Sequence, residues 1–281
     1  MKHTEFGWKN PAKTAIYAQG WWPEPQNNKP LKGIILLMHG LGEHSARYQH
    51  VAEFFTHYNF AVLACDRSGH GKSGGKRGHI AKYEYVFDDI VKLHSEASRR
   101  HSNVPVFLYG HSMGGGIVLD YILHKKHSGL KGAIVTGPLL EPAFKPPSVL
   151  LFIGKIMRSI YPGFSQNNQL DLQQISRDEL VVEAYSKDPL VHSKITSETA
   201  IGMLSSGENS LRTVNKINIP LLITHGDKDG LTSHLASEKF AQKASGDVQL
   251  KIWEGLFHEL HNEPEKMEVL EYIYQWILQK L

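Results

Sequence analysis

Apolar residues along this chain fall into short dense runs, separated by longer stretches in which they return every third or fourth position. The runs are GIILLMHG (33–40), FAVLACD (60–66), VPVFLYG (104–110), LKGAIVTG (130–137), IPLLITHG (219–226) and VQLKIWEG (248–255), most of them closed by glycine. Runs of this length without a polar side are buried on both faces, the pattern of strands in a mostly parallel sheet. Helical spacing appears in YQHVAEFFTHY (48–58), YVFDDIVKLHSEASRR (85–100), GIVLDYILHKK (116–126) and MEVLEYIYQWILQKL (267–281). Strand and helix alternate, which predicts an α/β fold with helices on both faces of the sheet. The alternation stops between about 141 and 212, where Pro142, Pro146, Pro147 and Pro162 open a stretch of helical patterns with no clear strand. The expected organisation is a core of residues 1–140 and 213–281, with 141–212 inserted as a helical cap.

Composition narrows the function classes. A chain of 281 residues, 41% hydrophobic, can bury a large core. Its Lys and Arg residues are interspersed and sum to a net charge of only +3, so the footprint of a nucleic-acid binder is missing. Cys65 is the single cysteine and can form no internal disulfide. The opening segment MKHTEFGWKNPAKTA lacks the apolar region of a signal peptide. No apolar stretch reaches the length of about 18 residues that a membrane span needs. A cytoplasmic protein is expected.

In open α/β sheets chemistry gathers in the loops after the strands. After the third run stands Gly110-His111-Ser112-Met113-Gly114, a G-x-S-x-G pattern between a buried strand and an amphipathic helix. That is the setting of a nucleophile elbow, where a serine sits on a sharp, crowded turn. A serine nucleophile needs a general base, and the base needs a carboxylate to hold its tautomer. Asp227 and Asp229 follow the fifth run, and His258 follows the sixth by a short loop. An oxyanion requires preorganised donors. The backbone N–H of Met113 is one candidate, and that of Leu41, in His39-Gly40-Leu41-Gly42 after the first run, is the other. Two other chemistries fail on spacing. DRSGHGKSGG (66–75) contains G-x-G-x-x-G and a Gly-Lys-Ser, yet the next helical pattern begins roughly ten residues later, leaving no helix N-terminus for a phosphate. His258-Glu259-Leu260-His261 spaces its histidines by three, where a zinc protease helix spaces them by four.

These segments together resemble the monoacylglycerol lipases and related lysophospholipases of the α/β-hydrolase superfamily. The resemblance runs through HGLGEHSARY (39–48), DRSGHGKSGG (66–75), GHSMGG (110–115), YSKDPL (185–190), HGDKD (225–229) and EGLFHELH (254–261). It implies the α/β-hydrolase fold and a serine esterase acting on a monoacylglycerol through an acyl-enzyme, with no cofactor and no metal. It assigns Ser112, Asp229 and His258 as the triad, since the family's acid stands three residues after the strand-ending glycine, here Gly226. Glu43, Arg47 and His261 match positions that hold the glycerol head, and Tyr185 matches one near the polar pocket. The loop Gly230-Leu231-Thr232-Ser233 carries no cysteine, unlike the mammalian members, so the likeness is closer to the bacterial ones. Alternatives on the same fold are a lysophospholipase, a broad carboxylesterase, or a proline-releasing aminopeptidase, which acidic cap residues such as Glu179 and Glu183 would favour.

The segment SVLLFIGKIMRSIYPGF (148–164) is apolar over most of its helical circumference, with Lys155, Arg158 and Ser159 on one side. A face that broad either packs on the core or meets lipid and acyl chains. The second reading predicts weak peripheral membrane contact through the helix near 148–161.

Overall fold

Each of the six apolar runs forms a strand in the computed structural model, which describes residues 1–24, 30–127, 129–144 and 147–281. Pro146 lies outside the described residues. In chain order the elements are β1 (Lys2–Lys9), β2 (Ala15–Trp22), β3 (Gly33–Met38), α1 (Gln49–His57), β4 (Phe60–Cys65), α2 (Tyr85–Arg100), β5 (Val106–His111), α3 (Met113–His124) and β6 (Leu130–Thr136). There follow α4 (Ser148–Ile160), β7 (Ser165–Asn167), α5 (Glu179–Lys187), β8 (Lys194–Thr196), α6 (Ser197–Thr213), β9 (Leu221–Gly226), α7 (His234–Lys243), β10 (Val248–Trp253) and α8 (Lys266–Gln279).

Eight strands make one sheet in the order β1-β2-β4-β3-β5-β6-β9-β10. The six strands from β4 to β10 in that order run parallel. β1 and β2 add an antiparallel edge. The sequence pattern does not reveal that edge, because KHTEFGWK alternates exposed and half-buried positions instead of forming an apolar run. Side chains alternate across the pleat. Ile34, Leu36 and Met38 of β3 therefore join Leu63, Leu108, Ile117 and Phe240 on one face, under α2, α3 and α7. Ile35 and Leu37 join Phe55, Phe107, Tyr109 and Trp276 on the other, under α1 and α8.

Between β6 and β9 the chain leaves the sheet for α4 through α6. This stretch contains the short antiparallel pair β7–β8, with Gln166 opposite Ile195. Strands of three residues are too short to leave an alternation, so the sequence pattern reads as strandless. The excursion is stitched to loops that follow strands: His192 N–H donates to Gly42 O after β3 (2.9 Å), Thr196 N–H to Gly78 O after β4 (3.2 Å), and Ser233 N–H after β9 to Glu141 O (2.9 Å). It thus lies over the carboxyl ends of the parallel strands.

Only Ser112 separates β5 from α3. The two elements approach this closely because their facing residues lack side chains. A Cβ on Gly110 would lie 2.5 Å from Gly114 O, and one on Gly114 would lie 2.1 Å from Met38 O. Gly114→Ala is expected to lower unfolding stability by about 1–3 kcal/mol through backbone displacement. Urea denaturation checks this, with Gly163→Ala, whose Cβ would meet only one atom at 3.7 Å, expected to leave the midpoint unchanged.

Candidate active site

The strand-to-helix turn holds Ser112 at φ 55° and ψ −121°. A left-handed backbone at a residue with a Cβ is strained by about 1–3 kcal/mol and persists only where the surroundings over-determine it. Here Ser112 N–H donates to Thr136 O (3.0 Å), and Ser112 O accepts from Gly116 N–H (3.0 Å) and Leu139 N–H (2.9 Å). The turn presents the serine to a cavity of about 460 Å³, which His258 and Leu41 also line.

Of the two aspartates after β9, the structure brings Asp229 to His258 and sends Asp227 elsewhere. Asp229 Oδ2 lies 2.7 Å from His258 Nδ1, whereas Asp227 Oδ1 accepts the N–H of Gly255 at 2.7 Å. Asp229 is fixed from every side. Its Oδ1 accepts the N–H groups of Leu231 (2.8 Å) and Thr232 (2.9 Å), and its Oδ2 accepts Thr232 Oγ1–H (2.8 Å) and lies 3.0 Å from His225 Nε2. Burial alone would raise the Asp229 carboxyl, but His258 and these hydrogen bonds outweigh it and hold the group well below the usual carboxylate range. Burial likewise pushes the His258 ring down, while the Asp229 charge and hydrogen bond lift it further, leaving it above its ordinary 6.5. With Nδ1–H donated to Asp229, Nε2 is the nitrogen free to take a proton. His111, whose ring centroid is 4.7 Å from that of His258, is pushed down to about 3 by burial and by His258. It therefore stays neutral beside a charged His258.

Sequence reasoning missed His225 and Thr232 as partners of Asp229. A hydroxyl three residues after an aspartate was a usable signal for Thr232, because Asp side chains habitually gather the donors two and three residues on.

Leu41 and Met113, the residues whose backbone N–H groups are the anticipated donors, both line the cavity. Met113 opens α3, so its N–H is one of the helix's orphan donors. Among the described residues neither N–H is bonded to a backbone acceptor.

The four residues matched to glycerol recognition separate into two groups. Glu43 and Tyr185 line the cavity; Arg47 and His261 do not. Arg47 is held by two carboxylates: Nη1 lies 2.5 Å from Glu43 Oε2 and 2.7 Å from Glu259 Oε1, and Nη2 lies 2.8 Å from Glu259 Oε2. The Tyr185 ring covers it, 4.4 Å from guanidinium carbon to centroid. Burial opposes the Arg47 charge, but Glu259 and Glu43 raise its pKa well above the ordinary range. Glu43 also accepts Gly40 N–H (2.5 Å) and Tyr48 O–H (2.7 Å). His261 is wholly buried, stacked on Tyr48 at 4.7 Å between centroids, and burial drives it well below 6.5. Arg47 is thus held by Glu43, Glu259 and Tyr185, and His261 packs on His111, and all four of these partners line the cavity. Glu259, which the sequence offered only as part of His258-Glu259-Leu260-His261, lines the cavity. His258 bonds Asp229, Glu259 bonds Arg47, and His261 is buried.

The rest of the cavity wall is mainly apolar, with Leu139, Leu150, Met157, Ile175, Ile201 and Leu231 among its residues. Glu179 and Glu183 are not on it; Glu183 pairs with Lys187 at the surface. α4 has no fully buried residue. Leu150, Leu151, Ile153, Gly154 and Met157 line the cavity, and Val149, Phe152, Ile156 and Ile160, which do not, are exposed, as are Leu150 and Ile153 in part. In DRSGHGKSGG, Asp66 Oδ1 accepts Ser45 N–H (2.7 Å) and Oδ2 accepts Lys72 N–H (2.8 Å). This segment buttresses the loop after β3.

A family model described as serine aminopeptidase, S33, matches residues 29–265. A monoacylglycerol lipase of Mycolicibacterium smegmatis is 38% identical over 253 residues, which are 89% of each chain. An uncharacterized abhydrolase domain-containing protein of Dictyostelium discoideum is also 38% identical, over 96% of this chain but 28% of its own length. Among solved structures, the crystal structure of Paleococcus ferrophilus monoacylglycerol lipase superposes with a TM-score of 0.86 at 30% identity, covering 95% of this chain and 99% of that one. With a model matched over most of its length and a relative of this identity over nearly all of both chains, this chain belongs to the monoacylglycerol lipase family of serine α/β-hydrolases.

Proposed function

We propose that the protein hydrolyses monoacylglycerols to fatty acid and glycerol, with Ser112 as nucleophile, His258 as general base and acid, and Asp229 as its orienting carboxylate. The carrying observation is that Ser112 and His258 open onto one cavity whose wall is mainly apolar and whose floor carries Glu43, Glu259 and Tyr185. Its volume of about 460 Å³ suits a small-molecule site, for which about 300–1,000 Å³ is usual. Ser112 Oγ attacks the ester carbonyl as His258 Nε2 takes its proton; the N–H groups of Leu41 and Met113 receive the negative oxygen. His258 returns the proton to the departing glycerol oxygen. Water, deprotonated by His258, then releases the acid from Ser112.

Residues 141–212 act in this reading as the cap that shields the reacting ester. The exposed row Val149, Phe152, Ile156 and Ile160 on α4 supports weak docking on a lipid surface. No helix among the described residues is long and apolar enough to cross a membrane. A cytoplasmic enzyme that visits membranes for its substrate fits both.

Ser112→Ala is expected to abolish monoacylglycerol hydrolysis and fluorophosphonate labelling while the circular dichroism spectrum stays unchanged; continuing turnover would assign another nucleophile. A panel that adds lysophospholipids and aminoacyl amides checks the substrate, and a preference for the amides would overturn it. The base must be neutral to act, so kcat/KM is expected to be lost as pH falls, through an apparent pKa above 6.5, the direction in which Asp229 shifts His258. Asp229→Asn is expected to move that midpoint downward and to reduce kcat by roughly 10⁴-fold, read from pH–rate profiles. Phe152→Ser with Ile160→Ser is expected to weaken vesicle cosedimentation while leaving hydrolysis of a soluble short-chain ester intact. Unchanged cosedimentation would remove the membrane role.

A further inference from the structure

Arg67 is wholly buried, and neither Nε nor Nη1 has a partner among the described residues. Its Nη2 donates to Gly40 O at 2.6 Å. A guanidinium buried on a carbonyl instead of a carboxylate is an expensive arrangement that calls for a reason. The carbonyl it holds belongs to the peptide whose N–H is that of Leu41.

The same oxygen lies 2.8 Å from His39 Nδ1. The Arg67 backbone N–H donates to His39 Nε2 at 3.1 Å, so Nε2 carries no proton and Nδ1 does. Burial and then Arg67 itself keep the His39 ring neutral, well below 6.5. Gly40 O thus accepts two donors, Arg67 Nη2–H and His39 Nδ1–H. No peptide in the described chain is cis, and in a trans peptide the N–H points away from the C=O. With its oxygen pulled toward Arg67, the Gly40–Leu41 peptide must turn the Leu41 N–H to the opposite side. Ser112 lies close by: a Cβ on Gly40 would sit 3.3 Å from Ser112 Cβ, and Leu41 and Ser112 line the same cavity. The preceding peptide is fixed as well, because Gly40 N–H donates to Glu43 Oε1 at 2.5 Å.

We propose that Arg67 is a positioning residue for ester hydrolysis, acting through the Gly40–Leu41 peptide to aim and polarise the Leu41 N–H as an oxyanion donor. The proposal rests on the reading that this N–H receives the oxyanion. A cation on the carbonyl withdraws electron density from the peptide, and that makes the opposite N–H a stronger donor. The gain appears where negative charge develops, in the tetrahedral intermediate, and little of it in the bound ester.

The test compares wild type with Arg67→Met and Arg67→Lys, each normalised by fluorophosphonate active-site titration. For Arg67→Met, kcat and the affinity for an alkylboronic acid, which forms an anionic adduct on Ser112, are expected to fall together by about 10- to 100-fold. KM and the affinity for an uncleavable glycerol monoether are expected to stay within about twofold, and Arg67→Lys to recover part of the loss, because the effect is confined to the developing charge. Unchanged kcat and boronate affinity per titrated site would overturn the proposal, as would a parallel loss of monoether affinity. NMR of the wild type reads the same contact without any variant. Boronate should move the Leu41 and Met113 amide protons downfield and shift the Arg67 Nη2 protons with them. An unmoved Leu41 amide would refute the oxyanion reading itself, whereas a moved Leu41 with unmoved Arg67 protons would refute only the role of Arg67.

Discussion

Strain at Ser112 is sustained by its neighbours, and the layout of the site follows from that. The residue sits at φ 55° because β5 must end and α3 begin within one step, and because three backbone hydrogen bonds clamp its peptide groups to Thr136, Gly116 and Leu139. Gly110 and Gly114 allow that step by letting backbone pass within contact distance of backbone. Once the serine is placed above the carboxyl edge of the central strands, the other groups need only occupy loops after neighbouring strands. β3 lies beside β5 and supplies the Leu41 loop; β9 and β10 lie beyond β6 and supply Asp229 and His258.

Electrostatics then decides which of the many buried polar groups participate. Asp229 and His258 form a pair in which each favours the charged state of the other. Beneath them Glu43, Arg47 and Glu259 form a closed network of two carboxylates and one cation, leaving one excess negative charge. That excess adds to the lift on His258, and so favours the imidazolium that the proposed attack would form. Breaking a buried pair of this kind typically costs about 3–5 kcal/mol. The network therefore also ties the His258 loop rigidly to the loop after β3.

The strands, the elbow and the order Ser, Asp, His were legible because each is local: an apolar run, a five-residue turn, a residue just after a strand. Residues alone left Asp227 and Asp229 open; the hydrogen bond from Gly255 to Asp227 separates them, and it joins residues on different strands' loops. The Arg47–Glu259 pair spans 212 positions and has no local signature. β1 was missed because an edge strand needs only one apolar side, and β2, though buried from Ala18 to Trp21, carries Gln19 and Gly20 there and so makes no continuous apolar run. The stretch DRSGHGKSGG first suggested phosphate binding, since glycine spacing alone does not distinguish a phosphate cradle from a turn. In the fold Gly71 is required because a Cβ there would lie 2.1 Å from Asp66 Oδ2, and Arg67 reaches back to Gly40.

Covalent catalysis by Ser112 stands or falls with the acyl-enzyme, which can be trapped. Enzyme mixed with a monoacylglycerol, quenched in acid within milliseconds and digested, can be examined by mass spectrometry for the acyl group. The acyl mass is expected on the peptide containing Ser112, appearing before steady state and disappearing as substrate is consumed. Acylation of a different residue under these conditions would contradict it.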